Sequence, residues 1–198
     1  TLIFGIFALI LYLHFYLNGK SLIWSHDGVP QHLNSLAYYG EYLRKILSAV
    51  FVEHKLSIPM WDMHIGYGSD ILTTLHYYVI GDPLTLLSVF VPAENTELLY
   101  EFLIFLRIYL AGIAFSKYCF YHNNSKEATL FGVFIYIFAG WTIYAAMKHP
   151  YFANPMIYLP LILMGIDKIY RKEKPYVFIW SVTLAGLSNF YFFYMLGI

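Results

Sequence analysis

The chain has 198 residues, of which 60% are hydrophobic, 21% are aromatic and 12% are charged. This charged share is about half that of an ordinary soluble domain, which excludes a disordered chain and a nucleic-acid-binding protein with a basic face. The 12 Lys and Arg residues balance the 12 Asp and Glu residues, and the single cysteine, Cys119, excludes an internal disulfide. The composition predicts an all-α, polytopic transmembrane protein.

Five apolar segments are predicted to cross the membrane, because a spanning helix needs roughly 20 mostly apolar residues. They cover about 1–17, 98–121, 128–147, 152–170 and 175–198. The chain begins and ends inside apolar runs. We therefore expect residues 1–198 to form a single N-terminal transmembrane region of a longer protein.

The segment 18–97 is too long for a simple connection and is predicted to be structured. Over residues 30–52, apolar side chains recur at steps of three and four, which indicates an amphipathic helix that can lie in the membrane interface. A shorter apolar run over 83–91 is opened by Asp82 as an N-cap and closed by Pro92. This run is predicted to be a re-entrant or surface-lying helix.

The distribution of basic residues orients the spans. Half of the 12 Lys and Arg residues lie in or beside the short loops 122–127 and 168–174, whereas the loop 148–154 has only Lys148. The basic residues at the first two loops are Lys117, Lys126, Lys168, Arg171, Lys172 and Lys174. Because short cytoplasmic loops are rich in Lys and Arg, these two loops are predicted to be cytoplasmic. The loop 18–97 is then extracytoplasmic.

Asp27 follows the first span, in the run Trp24-Ser25-His26-Asp27-Gly28-Val29-Pro30-Gln31. A carboxylate at the membrane surface can act as a general base that takes a proton from an acceptor hydroxyl. Spacing alone slightly favours the other interpretation, in which Asp27 caps the following helix or turns the chain into it.

Other polar residues of the loop carry weaker signals. Asp70 could contact a sugar or a metal, but after Gly68-Ser69 an Asx turn is the more common structure. The histidines that invite a metal interpretation are His26, His32, His64, His76 and His149. No pair of them has the HxxxH or HExxH spacing of zinc ligands, so no metal site and no cofactor are predicted. The sequence leaves open a divalent ion held by carboxylates of the loop, but no motif supports one.

Arg107 is the least ordinary residue, because it lies about nine residues into the second span, where a charge is costly and suggests a functional site. It can hold a lipid phosphate or pair with a carboxylate, and the sequence favours neither. The spacing puts Glu101 on a different helix face, so a partner would come from elsewhere. Lys148 and His149 follow the third span and can bind an anion on the side of Asp27, although interfacial anchors are the commoner role.

Several short motifs stand in a fixed order along the chain. They are Asp27 with Gln31, Pro59-Met60-Trp61-Asp62, Gly66-Tyr67-Gly68-Ser69-Asp70, Tyr77-Tyr78, Asp82-Pro83, His149-Pro150-Tyr151-Phe152-Ala153-Asn154-Pro155-Met156, Leu159-Pro160 and Asn189-Phe190-Tyr191. Each motif is loose alone, but the ordered set resembles the bacterial YfhO membrane proteins over essentially the whole chain. Such proteins normally have many more spans and an outer C-terminal domain.

The resemblance implies a GT-C type glycosyltransferase in the bacterial cell membrane. Such an enzyme takes a sugar from a polyprenyl-phosphate donor outside the membrane, and for this family the implied acceptor is a cell-wall polymer such as teichoic acid. The family's first-loop acidic residue corresponds to Asp27, the implied catalytic base. GT-C relatives often carry a paired acidic motif there, but Gly28 follows Asp27 in this chain, which puts a two-carboxylate metal site in doubt.

Candidate substrate-binding residues complete this prediction. Charge that develops on the leaving phosphate needs a nearby cation, for which the candidates are Arg107, Lys148 and His149. Gln31 and Asp70 are further candidate ligands on the same face. Membrane lipid, the sugar donor and the polymer are the implied partners, and nucleic acid is not. The 198 residues alone are expected to be inactive.

Two other functional classes stay open. A lipid or polymer transporter, or flippase, would also have many spans and a buried Arg, but it would not need an acidic residue immediately outside its first helix. A non-catalytic membrane partner in a wall-modifying complex is the third class.

Overall fold

The computed structural model describes residues 2–198 and is predominantly helical, which confirms the all-α prediction. Its α-helices are α1 Leu2–Leu17, α2 Asn34–Phe51, α3 Ile71–His76, α4 Thr96–Tyr121, α5 Lys126–Ile137, α6 Gly140–Lys148, α7 Asn154–Tyr170, α8 Tyr176–Ser188 and α9 Phe190–Gly197. Two short strands, β1 Trp61–Asp62 and β2 Ser69–Asp70, pair antiparallel, with Trp61 opposite Asp70.

Two helical segments among residues 2–198 are long and apolar enough to cross a membrane on their own. They are Ala93–Tyr121, which contains α4, and Pro150–Tyr170, which contains α7. The pair α5 and α6 passes the same test as a unit but is bent by 45°. Helices α1 and α8 are apolar but have only 16 and 13 residues. The structure thus supports two or three of the five predicted spans by length, and the others stay predictions.

Two of the predicted spans are not continuous helices. The segment 128–147 is interrupted between α5 and α6, where the hydroxyl of Thr142 donates a 3.0 Å hydrogen bond to the freed carbonyl of Tyr136. The segment 175–198 is interrupted at Asn189, whose backbone is extended and whose side chain accepts a hydrogen bond from the amide of Phe192 at the start of α9. Apolarity alone did not reveal either break.

Helix α4 forms the centre of the bundle and packs against α5 and α7 through buried side chains such as Leu103, Ile104 and Ala111. Helix α7 packs equally closely against α8. A Cβ atom on Gly165 would lie 2.7 Å from the Cα atom of Phe178, so the two helices can approach this closely only because Gly165 has no side chain.

The predicted amphipathic helix is confirmed as α2, which follows a π-helical turn at Gly28–Leu33. Its buried face lies against a 3₁₀-helical turn, Thr85–Phe90, which replaces the short helix predicted over 83–91. Arg44 of α2 stabilises this contact, because its Nη1 donates to the carbonyl oxygens of Ser88 at 2.9 Å and Val91 at 2.7 Å.

The helix ends sort to two sides of the bundle. At one side, the backbone amide of Leu22 donates a 2.9 Å hydrogen bond to Glu101 near the start of α4, and the end of α6 meets the start of α7. At the other side, His122 and Asp167 come within 3.0 Å, and Tyr121 donates to Glu173 at 2.9 Å. We call these sides the loop end and the basic end, because the loops 122–127 and 168–174 lie at the second.

Candidate functional site

Asp27 lies at the loop end, immediately before the π-helical turn Gly28–Leu33. Its backbone carbonyl accepts hydrogen bonds from the amides of Gln31 and His32, but its side chain makes no capping bond. The carboxylate instead lies 3.4 Å from Nε2 of Gln31 and 3.7 Å from Nε2 of His149, with 34% of the side chain exposed. The structure therefore disagrees with side-chain capping by Asp27 but agrees with its other predicted role, that of turning the chain into the following helix. It leaves the carboxylate partly accessible.

His149 connects this carboxylate to a buried second histidine. Its Nδ1 lies 2.7 Å from Nε2 of His32, and the two rings meet edge to face. When His149 carries its proton on Nε2, which faces Asp27, its Nδ1 accepts from the Nε2–H of His32. Tyr78 also joins this group, because its hydroxyl donates a 3.0 Å hydrogen bond to the side-chain oxygen of Gln31. We call Asp27, Gln31, His32, Tyr78 and His149 the polar cluster.

The imidazoles of His32 and His149 both favour the neutral form, because the pKa of each is lowered. Burial lowers the pKa of His149, and nearby Lys148 lowers it further, against the opposing effect of the Asp27 carboxylate. Burial and the neighbouring His149 lower the pKa of His32 to about 4, again against Asp27. A neutral His149 lies beside Asp27 without a direct hydrogen bond, since 3.7 Å separates Nε2 from the carboxylate oxygen, and it is poorly suited to hold a phosphate as a cation.

A small cavity lies directly beneath this cluster. Its volume is about 20 Å³, and its lining includes His32, Tyr100, Arg107 and Tyr151. The Nδ1 of His32 and the hydroxyl of Tyr100 are buried without a hydrogen-bond partner within residues 2–198. The cavity lies between the histidines and the side chain of Arg107, and its size and polarity suit one water.

Arg107 faces the protein interior and is 2% exposed. Its Nη2 donates a 2.7 Å hydrogen bond to Asp82, and its Nε donates a 2.9 Å bond to Asn154. Asn154 closes the triangle, because its Nδ2 donates to the same carboxylate oxygen of Asp82 at 2.8 Å. Of the two roles that the sequence left open for Arg107, the geometry supports the structural ion pair, with Asp82 as the carboxylate.

The Asp82 carboxylate remains ionised in this buried position. Burial acts to raise its pKa, but the charge and hydrogen bond of Arg107 outweigh burial, with help from Asn154 and the amide of Leu84, so the pKa lies below its ordinary value. The other oxygen of Asp82 accepts from the amide of Leu84 at 3.0 Å. The N-cap role predicted for Asp82 is wrong, because the 3₁₀ helix begins only at Thr85, with Leu84 at its N-cap position and no side-chain capping bond; the contact with Leu84 instead forms a turn ahead of that helix.

The remaining candidate residues lie apart from the Asp27 carboxylate. Asp70 caps α3, because its Oδ1 accepts from the amide of Thr73 at 2.7 Å and from the Thr73 hydroxyl at 2.9 Å. Lys148 adjoins the cluster, with its ammonium 3.4 Å from the Tyr144 hydroxyl and 5.9 Å from the centre of the Trp24 ring. Within residues 2–198, no group of three or more His, Cys, Asp or Glu side chains is placed to hold a metal ion.

Sequence reasoning did not assign site roles to His32, Tyr78 or Asn154, and it saw Asp82 only as a helix cap. Two of these residues carried a partial signal. His32 lies five positions after Asp27, within one turn of the π-helical segment, and Asn154 lies five positions after His149. No local pattern pointed to the contacts with His149 and Arg107, because these join segments that are far apart in the chain.

These features define a helical membrane protein with a polar cluster at one end of its bundle. The chain belongs to the family described as bacterial membrane protein YfhO, whose model matches residues 1–198. A relative from Bacillus subtilis (strain 168), described as uncharacterized protein YfhO, is 28% identical over 156 residues. No solved structure matches the chain.

The match to this relative covers 68% of the chain but only 17% of the relative. The chain therefore spans a small part of the length of that protein. The family and the membrane-protein class predicted from the sequence are confirmed. The activity, substrates and partners of the whole protein stay predictions.

Proposed function

We propose that this chain forms the donor-side part of a membrane glycosyltransferase that moves a sugar from a polyprenyl phosphate to a cell-wall polymer, such as teichoic acid, on the outer face of the membrane. The observation that carries this proposal is the state of Asp27. Its carboxylate is partly exposed at the loop end, does no capping, and lies between Gln31 and a neutral-biased His149. Such a carboxylate is available to accept a proton.

In the proposed reaction Asp27 acts as the general base. The acceptor hydroxyl oxygen attacks the anomeric carbon of the sugar while its proton passes to Asp27. The bond between the anomeric carbon and the phosphate oxygen breaks, and polyprenyl phosphate leaves with the bonding electrons. Because phosphate is a good leaving group, one base suffices and no strong acid is required. No cofactor enters this scheme.

His149 and Gln31 serve as positioning residues for the base. The Nε2 of His149 and the Nε2 of Gln31 approach different oxygens of the carboxylate, so together they restrict its rotation. Gln31 is itself held by the hydroxyl of Tyr78. Fixing a reactive group in this way lowers the cost of reaching the transition state.

Phosphate binding falls to Lys148 rather than to Arg107. The guanidinium of Arg107 is already engaged by Asp82 and Asn154, and it is buried. Lys148 lies beside His149 and contacts the hydroxyl and ring of Tyr144 and the ring of Trp24. It has no ion-pair partner within residues 2–198, so its charge can stabilise the leaving phosphate. Asp70 retains a second carboxylate oxygen beyond its capping bonds and stays a proposed sugar ligand.

The test compares variants of the full-length protein in membranes that contain a polyprenyl-phosphate sugar and wall polymer. We expect Asp27→Asn to reduce sugar transfer about a hundredfold to ten-thousandfold, as for loss of a general base, and His149→Gln to reduce it on the order of tenfold to a hundredfold. Glu53→Gln, an exposed carboxylate outside the cluster, is the matched control and should keep transfer unchanged.

The double variant Asp27→Asn/His149→Gln separates positioning from an independent role. If His149 acts through Asp27, the double variant transfers sugar as slowly as Asp27→Asn alone. Near-normal transfer in Asp27→Asn, with normal protein yield, would place the base elsewhere. Normal movement of a labelled polyprenyl lipid across the membrane without any sugar transfer would favour the transporter class.

A further inference from the structure

A large apolar groove lies between α1, α4 and α5, at the basic end and thus far from Asp27. Its volume is about 600 Å³. Side chains that line it include Leu2, Ile113, Phe120, Leu130, Val133 and Phe134. A groove of this composition within the apolar part of a bundle is suited to a hydrocarbon chain rather than to a polar ligand.

The groove exists because aromatic side chains hold α1 away from α4 and α5. The ring of Phe4 lies 5.1 Å from the ring of Tyr109, and the ring of Phe7 lies 5.1 Å from that of Phe134. Ring contacts separate helix axes more widely than small side chains do. The contrast is the tight contact of α7 with α8 at Gly165.

Two lysines line the same groove, one near the end of α4 and one at the start of α5. They are Lys117 and Lys126, and both are exposed. Neither forms an ion pair with any residue of 2–198. By contrast, Lys168 at the same end pairs with Glu173 at 2.6 Å. The groove therefore joins an apolar channel to two lysines that have no ion-pair partner among residues 2–198.

A polar hydroxyl and a helix terminus add to this charged end. Thr129, which lines the groove, is buried, and its hydroxyl has no hydrogen-bond partner among the described residues. Lys126 occupies the first position of α5, where the helix dipole adds partial positive charge. Anionic groups are favoured where these contributions meet, and basic pockets between membrane helices are known to take anionic lipid headgroups.

We propose that this groove binds an anionic phospholipid, with an acyl chain between α1, α4 and α5 and the headgroup phosphate between Lys117 and Lys126. The charge complementarity selects this occupant over a neutral lipid. A further helix of the same protein is the other occupant, and the experiment distinguishes it from a lipid. The site is independent of the proposed sugar transfer, since Asp27 lies at the loop end.

The test uses full-length protein purified in detergent and exchanged with an equimolar mixture of phosphatidylglycerol and phosphatidylcholine, followed by mass spectrometry of the retained lipid. We expect wild type to retain phosphatidylglycerol preferentially. Lys117→Ala/Lys126→Ala should lower this preference on the order of tenfold, as expected for two phosphate contacts. The matched control, Lys172→Ala/Lys174→Ala, changes two basic residues at the same end that do not line the groove and should retain the preference.

A second variant tests the channel without touching the charges. Leu130→Trp adds bulk to the groove wall and should reduce total lipid retention while both lysines remain. Asp27→Asn should leave lipid retention unchanged, so failure of the lipid site and failure of the sugar-transfer proposal are distinguishable. Equal retention of both lipids by wild type, or an unchanged preference in Lys117→Ala/Lys126→Ala, would overturn the proposal. Loss of yield in Leu130→Trp with no lipid preference in wild type would indicate a helix in the groove.

Discussion

The guanidinium of Arg107 and the carboxylate of Asp82 form a buried ion pair, with 2.7 Å between Nη2 and Oδ2 and 3% of each side chain exposed. This pair joins the middle of α4 to the segment before it, and Asn154 at the start of α7 contacts both partners. Three separate parts of the chain are therefore fixed to one another beneath the cluster that contains Asp27. The ion pair therefore stabilises the segments that lie beneath the candidate site.

Removing the charge of Arg107 should destabilise the protein more than it impairs any chemistry. Arg107→Gln leaves the buried Asp82 carboxylate without its partner, which typically costs about 3–5 kcal/mol. We expect a marked fall in the thermal midpoint of the full-length protein in detergent. Arg107→Lys should recover part of the loss, because it keeps the charge but cannot donate from a planar fork to Asp82 and Asn154 together.

The double variant Arg107→Gln/Asp82→Asn should be more stable than Arg107→Gln alone, because it no longer buries an unpaired charge. Lys172→Gln, an exposed basic residue, is the control. A normal midpoint in Arg107→Gln together with lost sugar transfer would instead support a direct contact of Arg107 with phosphate.

Acidification should weaken the fold through His32. Its pKa is about 4 in the folded chain and 6.5 ordinarily, so between these values the unfolded chain binds a proton that the folded chain does not. The contribution of His32 to stability is therefore complete above about pH 6.5 and is lost as the pH falls towards 4. The groups that face this imidazole are His149 and Asp27.

The measurement is the thermal midpoint of wild type and His32→Gln between pH 7.5 and about 4.5. We expect the midpoint of wild type to fall more steeply than that of His32→Gln, with the whole effect on the order of 2–3 kcal/mol. His26→Gln changes an exposed histidine of the same segment and should follow wild type. Parallel curves for all three proteins would contradict a buried neutral His32.

Gly81 should tolerate no side chain, for two independent reasons. Its φ is +99°, a value that other residues rarely adopt, and a Cβ atom there would collide with the carbonyl oxygen of Leu187. We expect Gly81→Ala to destabilise the protein by more than about 1 kcal/mol, measured as a lower thermal midpoint of the full-length protein.

Gly186 provides a matched comparison, because it lies within α8 and a Cβ atom there would meet nothing closer than 3.8 Å. Gly186→Ala should be neutral or stabilising by up to about 1 kcal/mol. If both alanine variants behaved alike, the close approach of Gly81 to the end of α8 would be wrong.

The orientation in the membrane can be tested with single cysteines in a Cys119→Ser background of the full-length protein. Lys55 lies at the loop end and Lys172 at the basic end, and each is replaced in turn as Lys55→Cys and Lys172→Cys. Because short cytoplasmic loops carry the excess of Lys and Arg, we expect an impermeant thiol reagent to label position 55 in intact cells and position 172 only after lysis. The reverse pattern would invert the orientation and place Asp27 in the cytoplasm.

The sequence by itself determined the features that depend on neighbouring residues. The length and apolarity of α4 and α7 predicted two crossings, and steps of three and four predicted the amphipathic α2. Such features can be predicted from the sequence because backbone hydrogen bonding and helix periodicity act over a few residues. Asp82 was predicted as a cap from its local context, but the helix begins later, at Thr85, and Asp82 forms a turn with the amide of Leu84 instead.

Tertiary structure alone decided which polar groups meet. Asp82 and Arg107 are 25 positions apart, and His32 and His149 are 117 apart, so no local spacing relates either pair. Packing of α4 against α7 brings Arg107 to Asn154, and the turn after α6 brings His149 to His32. A buried polar group requires a partner, but which segment supplies it depends on how the helices pack.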